Sequence, residues 1–226
     1  MSTLRIGAVF PGQGSQAVGM GVDAAAQSPE ARELFERAAY ILGYDLLALQ
    51  REGPDEKLRE TQYSQPAIFA TNVALYTAVA GLEPVVSAGH SFGEFCSLVA
   101  AKAIDFEAAL RVVNERGHAM QHAADLAPGG MSAVLGLDAQ RIREVADATR
   151  ERTGKRVQLA NFNSPSQIVI SGDLEGVIAA GDAMLEAGAK RVVPLNVSGA
   201  WHSALMEPAI ERFASAVHNA PFTLPE

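Results

Sequence analysis

Apolar positions along this chain come at two spacings, in short consecutive runs and in longer stretches three and four residues apart, and their alternation predicts an α/β protein. Leu4 to Phe10 is such a run and reads as a buried strand that delivers the chain to the loop Pro11-Gly12-Gln13-Gly14-Ser15-Gln16. The spacing then lengthens. Leu34, Phe35, Ala38 and Ile41 fall on one helical face, with Ser28 as N-cap, Pro29 in the first turn and Gly43 as the stop. Thr61-Gln62-Tyr63-Ser64-Gln65 reads as a turn leading into a helix from Pro66 to about Ala80. The run Val85-Val86-Ser87-Ala88 is a strand, Glu94 to Ala100 has a helical pattern, and Asp105 caps a further helix to about Ala124.

From Met131 the order changes. A strand to Leu137 is followed by a helix from Asp138 to Arg152 and by strands Val157 to Asn161 and Ile168 to Ser171, joined through Asn163-Ser164-Pro165-Ser166. A helix from Asp173 to Ala187 and a strand from Arg191 to Val197 complete a β-α-β-β-α-β order, the ferredoxin-like one. Pro128-Gly129-Gly130 and Ser198-Gly199 bracket it, which predicts a ferredoxin-like subdomain over residues 128–198 inserted into a large domain of residues 1–127 and 199–226. A last helix is expected from about Leu205 to Ala220.

Between the Val85 strand and the Glu94 helix lies Gly89-His90-Ser91-Phe92-Gly93, a Gly-x-Ser-x-Gly turn in the layout of a nucleophile elbow. Such a turn is sharp enough to strain the backbone at Ser91, and glycine at 89 and 93 removes side chains that would collide as strand and helix approach. Ser91 then presents its hydroxyl at a helix N-terminus, where N–H groups favour developing negative charge. The layout predicts an α/β-hydrolase-like large domain with a parallel sheet. A serine nucleophile needs a base. Of the five histidines His202 is best placed, because it follows the elbow and lies where the subdomain hands the chain back. His90, next to Ser91 on the turn, would point away from it.

Composition narrows the classes. Of 226 residues 48% are hydrophobic and 19% charged, a globular profile with no apolar run of membrane-spanning length. The first ten residues lack the basic-then-apolar layout of a secretory signal, and the single Cys96 excludes an internal disulfide and a cysteine-built metal site, so a cytoplasmic location is expected. A net charge of −8 argues against nucleic acid as a partner. An acidic partner would have to be drawn by local clusters, such as Arg150, Arg152, Lys155 and Arg156 or Lys190 and Arg191. Gly12-x-Gly14-x-x-Ala17 loosely matches a dinucleotide fingerprint, but the next segment is a helix where a strand with an acidic residue is required. His118 and His122 stand four apart with no third ligand in view, so no metal is predicted.

Phe10-Pro11-Gly12-Gln13-Gly14-Ser15-Gln16, Gln65-Pro66-Ala67, Gly89-His90-Ser91-Phe92-Gly93-Glu94, Arg116-Gly117, Asn161-Phe162-Asn163-Ser164-Pro165 and Ser198-Gly199-Ala200-Trp201-His202-Ser203 resemble, in the same order, the motifs of the malonyl-CoA:acyl carrier protein transacylases and polyketide synthase acyltransferase domains. The resemblance covers nearly the whole chain. It implies that Ser91 is acylated by malonyl-CoA, with His202 as base and the backbone N–H groups of Gln13 and Phe92 as oxyanion hole. It also implies that Arg116 grips the free malonyl carboxylate, a task suited to a planar, permanently charged fork. Gln65, Trp201 and Asn161 are the further substrate-binding residues it implies, and the acceptor is the phosphopantetheine thiol of an acyl carrier protein. No cofactor or metal is implied. Trp201 stands where many malonyl-selective relatives carry Phe, and its bulk is expected to disfavour a methylmalonyl group. Members of the family continue past this point, so the resemblance implies a large domain that is C-terminally incomplete here. Two other classes stay open from the sequence: a serine esterase or thioesterase, and a non-catalytic carrier-protein-binding fragment.

Overall fold

The computed structural model describes residues 5–79, 81 and 83–226 and has a mixed α/β fold with a parallel sheet and helices. Leu4, the expected first residue of the opening strand, and Ala80, the expected end of the Pro66 helix, lie outside the described residues. The chain divides into two compact units, one of residues up to His118 together with Glu211–Glu226, the other of Ala119–Ile210.

In the first unit β1 (Gly7–Phe10) pairs in parallel with β2 (Val86–Gly89). The expectation of a buried opening strand is corrected: Val9 is 79% exposed and only Phe10 of β1 is buried. A parallel strand is buried when strands flank it and helices cover both faces. Among the described residues this sheet has two strands, and α6 (Gly93–Ala100) packs on them. Helices α1 (Val22–Gln27), α2 (Pro29–Leu42), α3 (Leu46–Glu52) and α4 (Asp55–Arg59) follow β1. α2 is bounded as its sequence predicts, with the Ser28 hydroxyl accepting from the Ala31 N–H and Gly43 closing the helix in the left-handed region.

Helix α5 (Thr61–Ala78) is the centre of this unit, buried from Thr61 through Ala74 at all but two positions. The expected turn over residues 61–65 is corrected to the first helical turns, and Pro66 lies inside the helix. Proline favours the first turn because its missing N–H costs nothing there. Here burial overrides that preference: the Glu60 carbonyl accepts from the N–H groups of Tyr63 and Ser64, and Ile68 and Phe69 of the helix share one core cluster with Leu46, Leu58, Phe92 and Leu110. Each such side chain, fully buried, contributes about 1.5–3 kcal/mol. The earlier start puts Thr61 and Gln65 four residues apart on one helical face.

α7 (Phe106–Leu126) begins as expected, with the Asp105 carboxylate accepting from the Ala108 N–H. The expected final helix is corrected. Residues Ala204–Ala209, with Pro208 among them, form a tighter 3-10 turn, and α10 covers only Ile210–His218. Beyond α10 the chain runs back along residues 101–103: the Thr223 N–H donates to the Ala103 carbonyl at 2.8 Å and the Glu226 N–H to the Ala101 carbonyl at 2.9 Å. Lys102, at a φ of 54°, pairs with the Glu226 carboxylate.

In the second unit β3 (Gly130–Leu135), α8 (Ala139–Thr153), β4 (Val157–Ser164), β5 (Gln167–Gly172), α9 (Leu174–Glu186) and β6 (Arg191–Pro194) follow the expected β-α-β-β-α-β order. They make an antiparallel sheet in the order β4-β5-β3-β6. Strand alternation sends Val134, Val157, Ile168 and Ile170 towards a core with α8 and α9, and Met131, Ala133 and Val169 into a second cluster with Trp201 and Ala209. Two boundaries are corrected. Asn163 and Ser164 belong to β4, so only Pro165-Ser166 turns the hairpin, and β6 ends at Pro194 because a tight bond from the Val197 N–H to the Leu195 carbonyl curls the chain away. No helix among the described residues is long and apolar enough to cross a membrane.

Candidate active site

The elbow is built from close backbone approach. β2 stops at Gly89, Ser91 has a φ of 55°, and α6 starts at Gly93. A Cβ at Gly89 would lie 1.9 Å from the Gly93 carbonyl carbon, and one at Gly93 would lie 2.6 Å from the Phe10 carbonyl oxygen. Both clashes are with backbone, which cannot rotate aside. Gly12 is hemmed in likewise: a Cβ there would lie 2.4 Å from the His90 carbonyl oxygen and 3.0 Å from His90 Nδ1, so the loop after β1 crosses directly against the elbow. Gly89→Ala is therefore expected to lower unfolding stability by about 3 kcal/mol or more. Gly43→Ala, at φ 77° with nothing within 4 Å, is expected to cost only about 1 kcal/mol of backbone strain. Urea midpoints of the two variants measure the difference.

From Ser91 a chain of polar side chains runs through the first unit. The Ser91 Oγ accepts from Arg116 Nη2 at 3.1 Å, and Arg116 Nη1 donates to Gln65 Oε1 at 2.8 Å. Gln65 Nε2 faces Gln13 Oε1 at 3.5 Å, and Gln13 Nε2 donates to Thr61 Oγ1 at 2.9 Å. Sequence reasoning singled out four of these five. Thr61 it missed, because the i, i+4 relation to Gln65 exists only once the helix starts at Thr61.

Arg116 is the unusual member. It is 9% exposed, and burial pushes its guanidinium down from the ordinary arginine range to about 10, against a smaller opposing pull from Glu94. None of the ion pairs among the described residues includes it. The groups in contact with it are neutral: Gln65, Ser91 and the face of Phe213, whose centroid is 5.7 Å from the guanidinium carbon. Buried cations are ordinarily paired. One held by neutral groups, beside a serine on a strained turn, is suited to an anionic ligand.

Phe92 is buried at the head of α6. None of the turn, loop and cap hydrogen bonds among the described residues takes its N–H from Gln13 or Phe92. Asn72, which the sequence did not single out, donates to the Pro11 carbonyl at 3.1 Å and ties the Gln13 loop to α5.

In the second unit His202 is exposed and has a φ of 57°; with Ser91 and Lys102 it makes up the non-glycine residues of positive φ among those described. Trp201 beside it is buried in the cluster of Met131, Ala133 and Val169, and leaves no room for a side chain at Gly199. Asn161 is half-buried on β4 at a register shift. Three of the basic residues considered as attractors are spoken for: Arg150 pairs with Asp147, Lys155 with Glu175 and Arg156 with Asp173. His118 is held below the usual imidazole range by burial first and then by Arg212. Among the described residues no cluster of three metal-ligating side chains is present.

The chain matches a family model described as an acyl transferase domain over residues 8–226. It is 46% identical over 220 residues to the malonyl CoA-acyl carrier protein transacylase of Escherichia coli (strain K12), covering 96% of this chain and 71% of that protein. A solved malonyl CoA-acyl carrier protein transacylase from Coxiella burnetii aligns with a TM-score of 0.92 at 40% identity, over 98% of this chain and 70% of that one. A malonyl-transacylase solved in complex with its type II polyketide synthase acyl-carrier protein aligns with a TM-score of 0.90 at 42% identity, over 98% of this chain and 72% of that one.

Proposed function

Because this chain belongs to the acyl transferase domain family, we propose that it moves the malonyl group of malonyl-CoA to the phosphopantetheine thiol of an acyl carrier protein, in fatty acid or polyketide synthesis, through an ester on Ser91. What carries this reading is the unpaired, buried Arg116 hydrogen-bonded to Ser91. An acyl group on Ser91 Oγ with a carboxylate one carbonyl and one methylene away places that carboxylate beside the guanidinium. Malonyl is that group.

His202 takes the Ser91 proton as Oγ attacks the thioester carbonyl, and the oxyanion is held by the N–H groups of Gln13 and Phe92. The CoA thiolate leaves with the proton from His202. In the second half the carrier-protein thiol gives its proton to His202 and attacks the ester, and Ser91 leaves as an alkoxide that takes the proton back. The exchange of one thioester for another is nearly balanced, so it runs in both directions, and no resident cofactor or metal enters a step. Gln65 orients Arg116 towards the substrate. Asn161 is assigned to substrate binding, and Trp201 to crowding an α-methyl branch, worth about 1–3 kcal/mol of discrimination.

The sheet order and its two helices support a ferredoxin-like subdomain, assigned to residues 128–198, and the strand, elbow and helix support an α/β-hydrolase-like large domain, assigned to 1–127 and 199–226; the compact units divide more widely, at 118/119 and 210/211. The buried free thiol of Cys96 fits a cytoplasmic location.

The test is release of CoA from malonyl-CoA with and without phosphopantetheinylated carrier protein. A transferase is expected to turn over at least about tenfold faster with the acceptor thiol, with methylmalonyl-CoA slower than malonyl-CoA. Equal rates with and without acceptor would identify a hydrolase.

A further inference from the structure

We infer that Thr61 is a positioning residue of the acyl-transfer site: it fixes the Gln13 loop, and so the oxyanion-binding N–H, at the end of a hydrogen-bond chain whose direction Arg116 sets. The inference rests on the reading of Gln13 given above. A guanidinium carries only donors. Gln65 must therefore turn its Oε1 to Arg116, as it does at 2.8 Å, which leaves its Nε2 facing Gln13. Gln13 answers with its Oε1, and its Nε2 is then aimed at the Thr61 Oγ1.

The links are not equal. The contact between Gln65 and Gln13 is 3.5 Å, whereas Gln13 to Thr61 is 2.9 Å, so the Thr61 end carries more of the anchoring. Thr61 is itself immovable: it is fully buried, and α7 touches it one residue beyond Arg116. A Cβ at Gly117 would lie 3.0 Å from the Thr61 carbonyl oxygen and 3.2 Å from the Gln62 Cα. Direct backbone contact thus sets the spacing between the two ends of the chain. The loop is held on one side by the Asn72 bond to the Pro11 carbonyl and by the close approach of Gly12 to His90, and the Gln13 side chain takes its position from a buried helix start.

The experiment compares acylation of Ser91 by malonyl-CoA and by acetyl-CoA in the full chain carrying Thr61→Val, Thr61→Ser, Gln13→Leu or Thr61→Val with Gln13→Leu. Valine keeps the shape and removes the acceptor; serine keeps the acceptor. Thr61→Val is expected to lower the acylation rate at saturating thioester about tenfold for both acyl groups, with half-saturation unchanged within about twofold. Thr61→Ser restores the rate. In the Gln13→Leu background, which keeps the backbone N–H, Thr61→Val adds nothing further. If Thr61→Val does not fold, Thr61→Ala is read in its place with the same expectations. A lower denaturation midpoint with an unchanged rate per folded site overturns the inference, as does a Thr61→Val loss that multiplies with that of Gln13→Leu. A wild-type chain that acylates normally beside an unchanged variant overturns this role alone, whereas a folded wild-type chain that never acylates overturns the transfer reading beneath it.

Discussion

Incubated briefly with malonyl-CoA, this chain is expected to gain the mass of one malonyl group, and the Ser91→Ala chain none. The effect is the largest available because a nucleophile has no substitute: loss of the attacking serine in enzymes of this chemistry costs on the order of 10⁴-fold or more. The control is favourable. The alanine side chain would occupy the same left-handed backbone position and leave Gly89, Gly93 and the His90 contact with Gly12 in place, so the variant folds as the parent does. Intact mass spectrometry on both proteins, with urea midpoints alongside, gives the answer. An adduct that persists in Ser91→Ala would move the nucleophile elsewhere and remove the elbow from the mechanism.

Removing the charge at Arg116 is expected to separate function from stability. With Arg116→Met, acylation by malonyl-CoA should fall about 10²- to 10³-fold in kcat/KM, since a charge-assisted, buried carboxylate grip is worth about 3–4 kcal/mol. Acetyl-CoA, which has no carboxylate, should change little. Stability moves the other way. The guanidinium is lowered to about 10 by burial, so at all pH below about 10 the folded chain holds a charge it would rather not bury, and the penalty fades only as pH rises above 10 towards the ordinary arginine range. At neutral pH that penalty is about 3 kcal/mol, offset in part by the contacts with Gln65 and Phe213. The methionine variant should therefore unfold at no lower urea concentration than the parent. The same sign governs binding. A bound carboxylate favours the charged guanidinium, so affinity of the Ser91→Ala chain for malonyl-CoA is expected to hold below pH 10 and to weaken above it, as titration calorimetry across that range would register. Unchanged selectivity between malonyl- and acetyl-CoA in Arg116→Met would remove Arg116 from the acyl pocket.

What the sequence made legible was what local chemistry decides. Ser28 and Gly43 bound α2, Asp105 and Asp138 cap their helices, and the glycines at 89 and 93 announce a turn that only glycine permits. Strand alternation from Met131 onwards gave the element order of the second unit. What it hid depends on burial and distance. Pro66 signalled a helix start, yet α5 begins at Thr61, because packing of its first turns outweighs the proline preference. The exposure of Val9 reflects how many strands flank β1, which no residue of β1 encodes. The link from Ser91 to Thr61 joins four distant stretches of chain, and only Ser91, Arg116, Gln13 and Gln65 had motifs to mark them. Phe213, against Arg116 and edge-on to Phe95, carried no motif at all.

That last contact gives α10 a significance beyond its size. No residue of α10 is buried; it is held by Phe213 and Val217 against the core, by the exposed ion pair of Arg212 with Glu115 and by the strap of residues 221–226 along 101–103. In the terms of native-state opening, such an element is an outlying cooperative unit that can detach at low free energy while the core stays closed. Detachment would take the aromatic face from Arg116 and admit water to it, while the elbow, locked by backbone against backbone, stays as it is. On the proposed mechanism the two capacities of the site would thus differ in durability: forming an ester would be as robust as the core, whereas choosing an acid would depend also on one surface helix.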